Sequence, residues 1–130
     1  MDINKVKRIA RKYHLRILIM FGSQVQGKTH KESDLDLAFY PSTKIDEEKL
    51  LQELMDLFKR ADIDLINLKT THNHSVRYEI LSTGKVLFEA EKGLKSKMEW
   101  HSYFDFVDFK KYYDLRSKLL DKKIEEMTAN

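Results

Sequence analysis

Two apolar runs flanking a polar stretch set the first constraint on this chain. Residues 16 to 21, Arg16-Ile17-Leu18-Ile19-Met20-Phe21, are apolar after Arg16 and partly β-branched, and Gly22 interrupts them. Residues 34 to 40, Asp34-Leu35-Asp36-Leu37-Ala38-Phe39-Tyr40, alternate acid with apolar until Pro41. The first run predicts a buried strand that ends in a tight turn. The second predicts a strand whose faces meet different environments, with Asp34 and Asp36 on the same face. A chain holding this pair builds a sheet, and one side of that sheet carries neighbouring carboxylates.

The remaining elements follow from periodicity. Ile3, Val6, Ile9, Ala10 and Tyr13 recur at helical spacing, as do Leu50, Leu51, Leu54, Met55, Leu57 and Phe58 within residues 45 to 60. In the latter helix Asp46, Glu47 and Glu48 stand at the start, where the helix dipole favours negative charge. Residues 62 to 68 read as a third strand, 74 to 82 as a short helix closed by Thr83-Gly84, and 85 to 89 as a fourth strand. A long helix from about 98 to 127 carries Trp100, Tyr103, Phe104, Phe106, Phe109, Tyr112 and Tyr113, half of all the aromatic residues. The order predicts an α+β fold: a small mixed sheet of about four strands, helices on one face, the opposite face free for a site, and a long C-terminal helix. At 130 residues with 42% hydrophobic content, a single domain is expected over 1–130, with its core at about 5–90 and a helical C-terminal segment at about 97–127.

Composition removes several function classes. Cysteine is absent, which excludes disulfides, zinc–thiolate centres and cysteine nucleophiles. The 24 basic and 21 acidic residues are interspersed, so the net charge of +3 describes a mixed, solvated surface and gives no reason to expect direct nucleic-acid binding. No apolar run resembles a signal peptide or reaches the ~20 residues that span a bilayer, so a soluble cytoplasmic protein with no membrane partner is expected.

The chemistry concentrates at the junction of the first two strands. A glycine at a strand end lets the backbone approach a ligand closely, the N–H groups that follow can cradle phosphate oxygens, and the Ser23 hydroxyl adds a donor. Two carboxylates on alternate strand residues repel each other unless a cation sits between them. Magnesium suits that position, because it takes a few carboxylate oxygens and completes its octahedron with water and substrate phosphate. A third acid on the next strand completes a site able to hold two ions and to take the proton of an attacking hydroxyl. Asp64 and Asp62 share parity; Asp64 lies further inside the strand. Alone, an alternating acid pair is common at exposed edges and Gly-Ser is commonly a plain turn. Their combination at this spacing favours a site.

Phe21-Gly22-Ser23, then residues 24 to 33, then Asp34-Leu35-Asp36-Leu37 resembles the GS-x10-D-x-D signature of the DNA polymerase β-like nucleotidyltransferases, particularly the minimal nucleotidyltransferase group. Asp62-Ile63-Asp64-Leu65-Ile66 is similar to that group's third-acid strand, and Gly84-Lys85-Val86-Leu87-Phe88 to its closing strand; the resemblance spans about residues 5 to 90. It implies the polymerase β-like fold, with Gly22 and Ser23 at the triphosphate of ATP, Asp34 and Asp36 as magnesium ligands, and Asp64 as third ligand or base. The group includes MntA-type antitoxins, which attach AMP to a tyrosine of a HEPN-domain RNase toxin, and the resemblance implies such a toxin as partner. The aromatic C-terminal helix offers a docking surface; equally, its aromatics would serve to cap the sheet. Two further readings stand beside this one: an idle antitoxin that acts by occupying its partner, and transfer to a small molecule such as an aminoglycoside.

Gly22-Ser23-Gln24-Val25-Gln26-Gly27-Lys28-Thr29 also fits the P-loop pattern. A P-loop runs straight into a helix with an apolar face, which His30-Lys31-Glu32-Ser33 does not offer, so the match reads as chance, with Lys28 left to steer phosphate. His72 and His74 lack the spacing of a helical metal pair, and His14, His30 and His101 stand alone. Arg77 is within reach of a phosphate or simply solvated, and Lys118, Lys122 and Lys123 near Glu125 and Glu126 read as exposed charge.

Overall fold

The computed structural model describes residues 2–22 and 34–128. Its elements are α1 (Ile3–Lys12), β1 (Leu15–Phe21), β2 (Leu35–Pro41), α2 (Glu47–Phe58), β3 (Ile63–Asn67), α3 (His74–Thr83), β4 (Lys85–Glu89) and α4 (Leu94–Thr128). The strands form one mixed sheet in the order β3-β2-β1-β4. β1 pairs antiparallel with β2 and with β4, whereas β2 and β3 run parallel and are linked through α2. An antiparallel β1–β2 pair is incompatible with a P-loop, which leads into a crossover helix and a parallel strand.

Capping explains where the helices begin. The carboxylate of Asp2 accepts the N–H groups of Asn4 and Lys5, Asp46 accepts that of Lys49, and the Asn73 side-chain oxygen accepts that of Val76. Each satisfies orphan donors of a first turn, worth about 1 kcal/mol per cap. α2 stops at Lys59, which takes the left-handed conformation with φ 54°. Gly84 closes α3 differently from the left-handed cap its sequence suggests. Its φ of −72° and ψ of 156° are extended, and the reason for glycine is room: a Cβ there would collide with the Ile19 side chain and the Ile80 carbonyl.

The α+β class and the four-stranded mixed sheet agree with the sequence reading, but the helices cover both faces. Val6 and Ile9 of α1 and Leu50 and Leu54 of α2 pack with Leu18, Leu37 and Phe39 on one side. Ile80 and Leu81 of α3, joined by Met98 of α4, pack with Ile17, Ile19 and Ala38 on the other. The expectation of one covered face and one free face is therefore corrected. Its physical reason lies in β1, where successive residues Ile17, Leu18 and Ile19 are all fully buried, as happens only when both sides of a strand are covered.

α4 is 35 residues long, about 52 Å at 1.5 Å per residue. Its first half runs along α3, where Tyr78 meets Tyr103 edge-on and His74 meets Phe109. From Lys110 onward every described residue is exposed. Trp100, Tyr112, Tyr113, Leu119 and Leu120 are all more than half exposed, so most of the aromatics do not cap the sheet. Among the described residues no helix is long and apolar enough to cross a membrane.

Candidate active site

Gly22, Asp34, Asp36 and Asp64 meet at the edge of the sheet where β1 ends and β2 and β3 begin. Phe21 is the register partner of Asp36 across the antiparallel pair, and Asp36 is the partner of Asp64 across the parallel pair. Such partners lie about 4.8 Å apart along the hydrogen-bonding direction. The backbone bond from the Leu35 N–H to the Asp62 carbonyl (2.9 Å) fixes this parallel register at its first rung. Alternation then puts Asp36 on the α3 side of the sheet with Ala38 and Tyr40, and Asp64 on the same side with Ile66.

Gly22 closes the cluster from the β1 side. Its φ of +81° lies in the left-handed region, and a Cβ built on it would run into Oδ2 of Asp36. Glycine is required here twice, for its backbone angle and for the space the Asp36 carboxylate occupies. The chain therefore turns directly over that carboxylate.

Electrostatics single out Asp36. Its pKa is raised above the ordinary carboxylate value, first by burial, then by the charge of Asp64 and that of Asp34. Two like charges thus bear on a half-buried third, while Asp34 and Asp64 are themselves exposed. Among the described residues no three His, Cys, Asp or Glu side chains are gathered into a ready-made metal cage. The donor set nonetheless fits a hard cation, because magnesium is commonly bound by one or two carboxylates together with substrate phosphate and water.

Asp62 has a different environment. The Arg60 guanidinium donates to both of its oxygens, Nε to Oδ1 and Nη2 to Oδ2, each at 2.6 Å. This bidentate hydrogen bonding pulls the Asp62 pKa down. Arg60 is held charged by the same bond, with a smaller contribution from Asp34. The residue was not singled out by sequence, although an arginine two positions before an acid at a strand entrance is the available signal. Ser23 and Lys28 lie outside the described residues. Arg77 stands apart from the acids, in α3, with its Nη2 donating to the Thr71 carbonyl.

The family model for Polymerase beta, Nucleotidyltransferase matches residues 4–93, which hold the whole sheet and all four of these residues. No curated protein matches the chain at a significant level. Several solved structures share its fold. A toxin–antitoxin structure with AMP-PNP has a TM-score of 0.70 at 21% identity, covering 95% of this chain and 99% of the other. A tri-AMPylated HEPN toxin in complex with an MNT antitoxin, from Shewanella oneidensis, gives 0.62 at 18% identity over 94% and 95%. The toxin–antitoxin MntA–HepT likewise gives 0.62 at 18%, over 94% and 96%.

Proposed function

Because the chain belongs to the polymerase β nucleotidyltransferase family, we propose that it transfers AMP from ATP to a hydroxyl of a partner protein, a tyrosine of a HEPN-type toxin. The single observation that carries the reading is the register of Asp36 with Asp64 beside Gly22, with Asp34 two residues away. Three carboxylates and a close-approach glycine at one sheet edge are what a polyphosphate with its cation requires.

In this reading Asp34 and Asp36 hold magnesium, and Asp64 is the third acid. Asp62 is set aside because its oxygens are already engaged by Arg60. Bound magnesium supplies charge neutralisation to the triphosphate and the leaving pyrophosphate. Gly22, lacking a side chain, lets the backbone come close to the phosphates, and Ser23 is the proposed donor to them. Asp64 is exposed and takes the proton of the acceptor hydroxyl as its oxygen bonds to the α-phosphorus; the bond from that phosphorus to the pyrophosphate breaks in line.

The partner assignment is supported by α4. Its exposed Trp100, Phe104, Tyr112, Leu119 and Leu120 present aromatic and aliphatic surface of the kind that interfaces use. The solved relatives of this fold include an antitoxin in complex with an AMP-bearing HEPN toxin. The same helix also supports a second reading, neutralisation of the partner by occupation alone.

Co-expression with the protein encoded next to this chain, followed by intact-mass measurement, tests both. Partner molecules heavier by whole AMP units with the native chain, and unmodified with Asp36→Asn, support transfer. An unmodified partner held in a tight complex by both versions supports occupation.

A further inference from the structure

The α3–α4 side of the sheet contains a polar cavity at the end opposite the acids. Tyr40 lies four residues along β2 from Asp36, about 13 Å at ~3.3 Å per residue. Around it a cavity of about 220 Å³ is lined by Arg16, Arg77, His101, Ser102 and Asp105, over a floor that includes Leu81. We propose that this cavity binds a phosphate group, either free inorganic phosphate or that of a small phosphate ester.

The argument rests on polar groups that folding has buried without partners. Ser102 is 3% exposed, the one polar residue in the buried core among the described residues. Its hydroxyl makes no hydrogen bond, not even to the preceding turn of α4, where serines commonly bond back. Arg77 is anchored through Nη2 to the Thr71 carbonyl, yet its buried Nε has no acceptor. A buried hydroxyl and a buried guanidinium nitrogen left unpaired each carry an uncompensated desolvation cost, so an acceptor for both is strongly favoured.

Charge selects the class of acceptor. Arg16 is held with its guanidinium 5.7 Å from the centre of the Tyr40 ring, which fixes the cation at the cavity wall. Two guanidinium groups face a single carboxylate, that of Asp105, which is exposed at the rim. The excess is positive, and the fork of an arginine matches the oxygens of a phosphate. The volume lies below the ~300–1,000 Å³ usual for drug-sized ligands, which limits the occupant to a phosphate with few further atoms.

The test is an amide NMR titration of the full chain with inorganic phosphate, matched for ionic strength with chloride, and separately with glycerol 3-phosphate. Magnesium is omitted. Saturable shifts at Arg77, His101 and Ser102, with Gly22 and Asp36 unmoved, are expected; tighter binding of the ester identifies the ester as the source, and tighter binding of phosphate identifies the free ion. Arg16→Gln and Ser102→Ala should each weaken binding about tenfold, the loss of one hydrogen bond to a charged group. Asp36→Asn should leave it unchanged, which separates this site from the proposed transfer reaction. Shifts that never saturate, that match the chloride control, or that survive both cavity substitutions overturn the proposal.

Discussion

Asp36 stands directly opposite Asp64 across the parallel seam of β2 and β3, and this pairing turns two strand residues into one electrostatic unit. Burial raises the Asp36 pKa first, and the charges of Asp64 and Asp34 raise it further. In the unfolded chain those neighbours separate and the ordinary value returns. The folded state consequently holds the Asp36 proton more tightly than the unfolded state does. Its destabilising effect is absent below the ordinary carboxylate range, appears as pH rises through that range towards the raised folded value, and persists at neutrality.

Asp36→Asn removes a repelled charge while keeping the shape of the side chain. Without magnesium at pH 7 the variant should melt a few degrees above the native chain, and in acid the difference should vanish. Added magnesium should raise the melting temperature of the native chain and leave the variant unmoved. Differential scanning calorimetry across pH and magnesium concentration reads all three. A variant less stable than the native chain at pH 7 would contradict the like-charge account.

Asp62 has the opposite sign. Its folded pKa is depressed by the Arg60 hydrogen bonds, so its contribution is present above the ordinary carboxylate range and fades as pH falls through the depressed value. Asp62→Asn should therefore lower stability at neutral pH, with the difference vanishing in acid, and spare the chemistry. For nucleotidyl transfer, Asp64→Asn is expected to cost about 10²–10⁴-fold, the usual worth of a positioned proton acceptor, while Asp62→Asn stays within a few-fold. Parallel rate measurements on the two variants distinguish the acids. Equal losses would move the third-acid role away from Asp64.

Gly22→Ala tests the turn over Asp36. The left-handed angle alone costs an L-residue about 1–2 kcal/mol, and the new methyl group also meets the Asp36 carboxylate. Lower stability and loss of transfer are expected together. Gly84→Ala, at the other described glycine where a Cβ has no room, should lower stability through Ile19 and Ile80 without touching the acids. Denaturant midpoints with transfer rates, corrected for the folded fraction, separate the two glycines.

Much of this was legible because local pattern and tertiary packing agree. The acid–apolar alternation of residues 34 to 40 became β2 with Leu37 and Phe39 inward, and the periodic apolar residues of 45 to 60 became α2. The choice between Asp62 and Asp64 was legible only as a preference for the acid further inside the strand, since both share parity; the sequence shows neither the register that sets Asp64 opposite Asp36 nor the Arg60 contact that engages Asp62. Cover on the second face was missed because α3 is weakly amphipathic, although the unbroken apolar run of β1 carried the signal. Aromatic content in α4 could not tell capping from docking, because composition does not specify which side of a helix finds a neighbour.

The outer half of α4 provides the last test. Tyr113, Leu120, Ile124 and Met127 recur at spacings of three, four or seven residues, which keeps them on one side of the helix. That side continues the line of Ser102, Phe106 and Phe109, the residues that face α3 or its N-terminal loop. The stripe that packs within the body thus runs on for about 27 Å past Lys110 with no cover among the described residues. Most helices in proteins draw their stability from packing, so burial of this stripe against another surface would stabilise it. Deleting residues 114 to 128 should change the stability of the body by no more than about 0.5 kcal/mol, since no buried side chain is removed. The same deletion should abolish capture of the partner in co-purification, whereas Asp36→Asn should retain it. Capture that persists in the truncated chain would place docking elsewhere on the body.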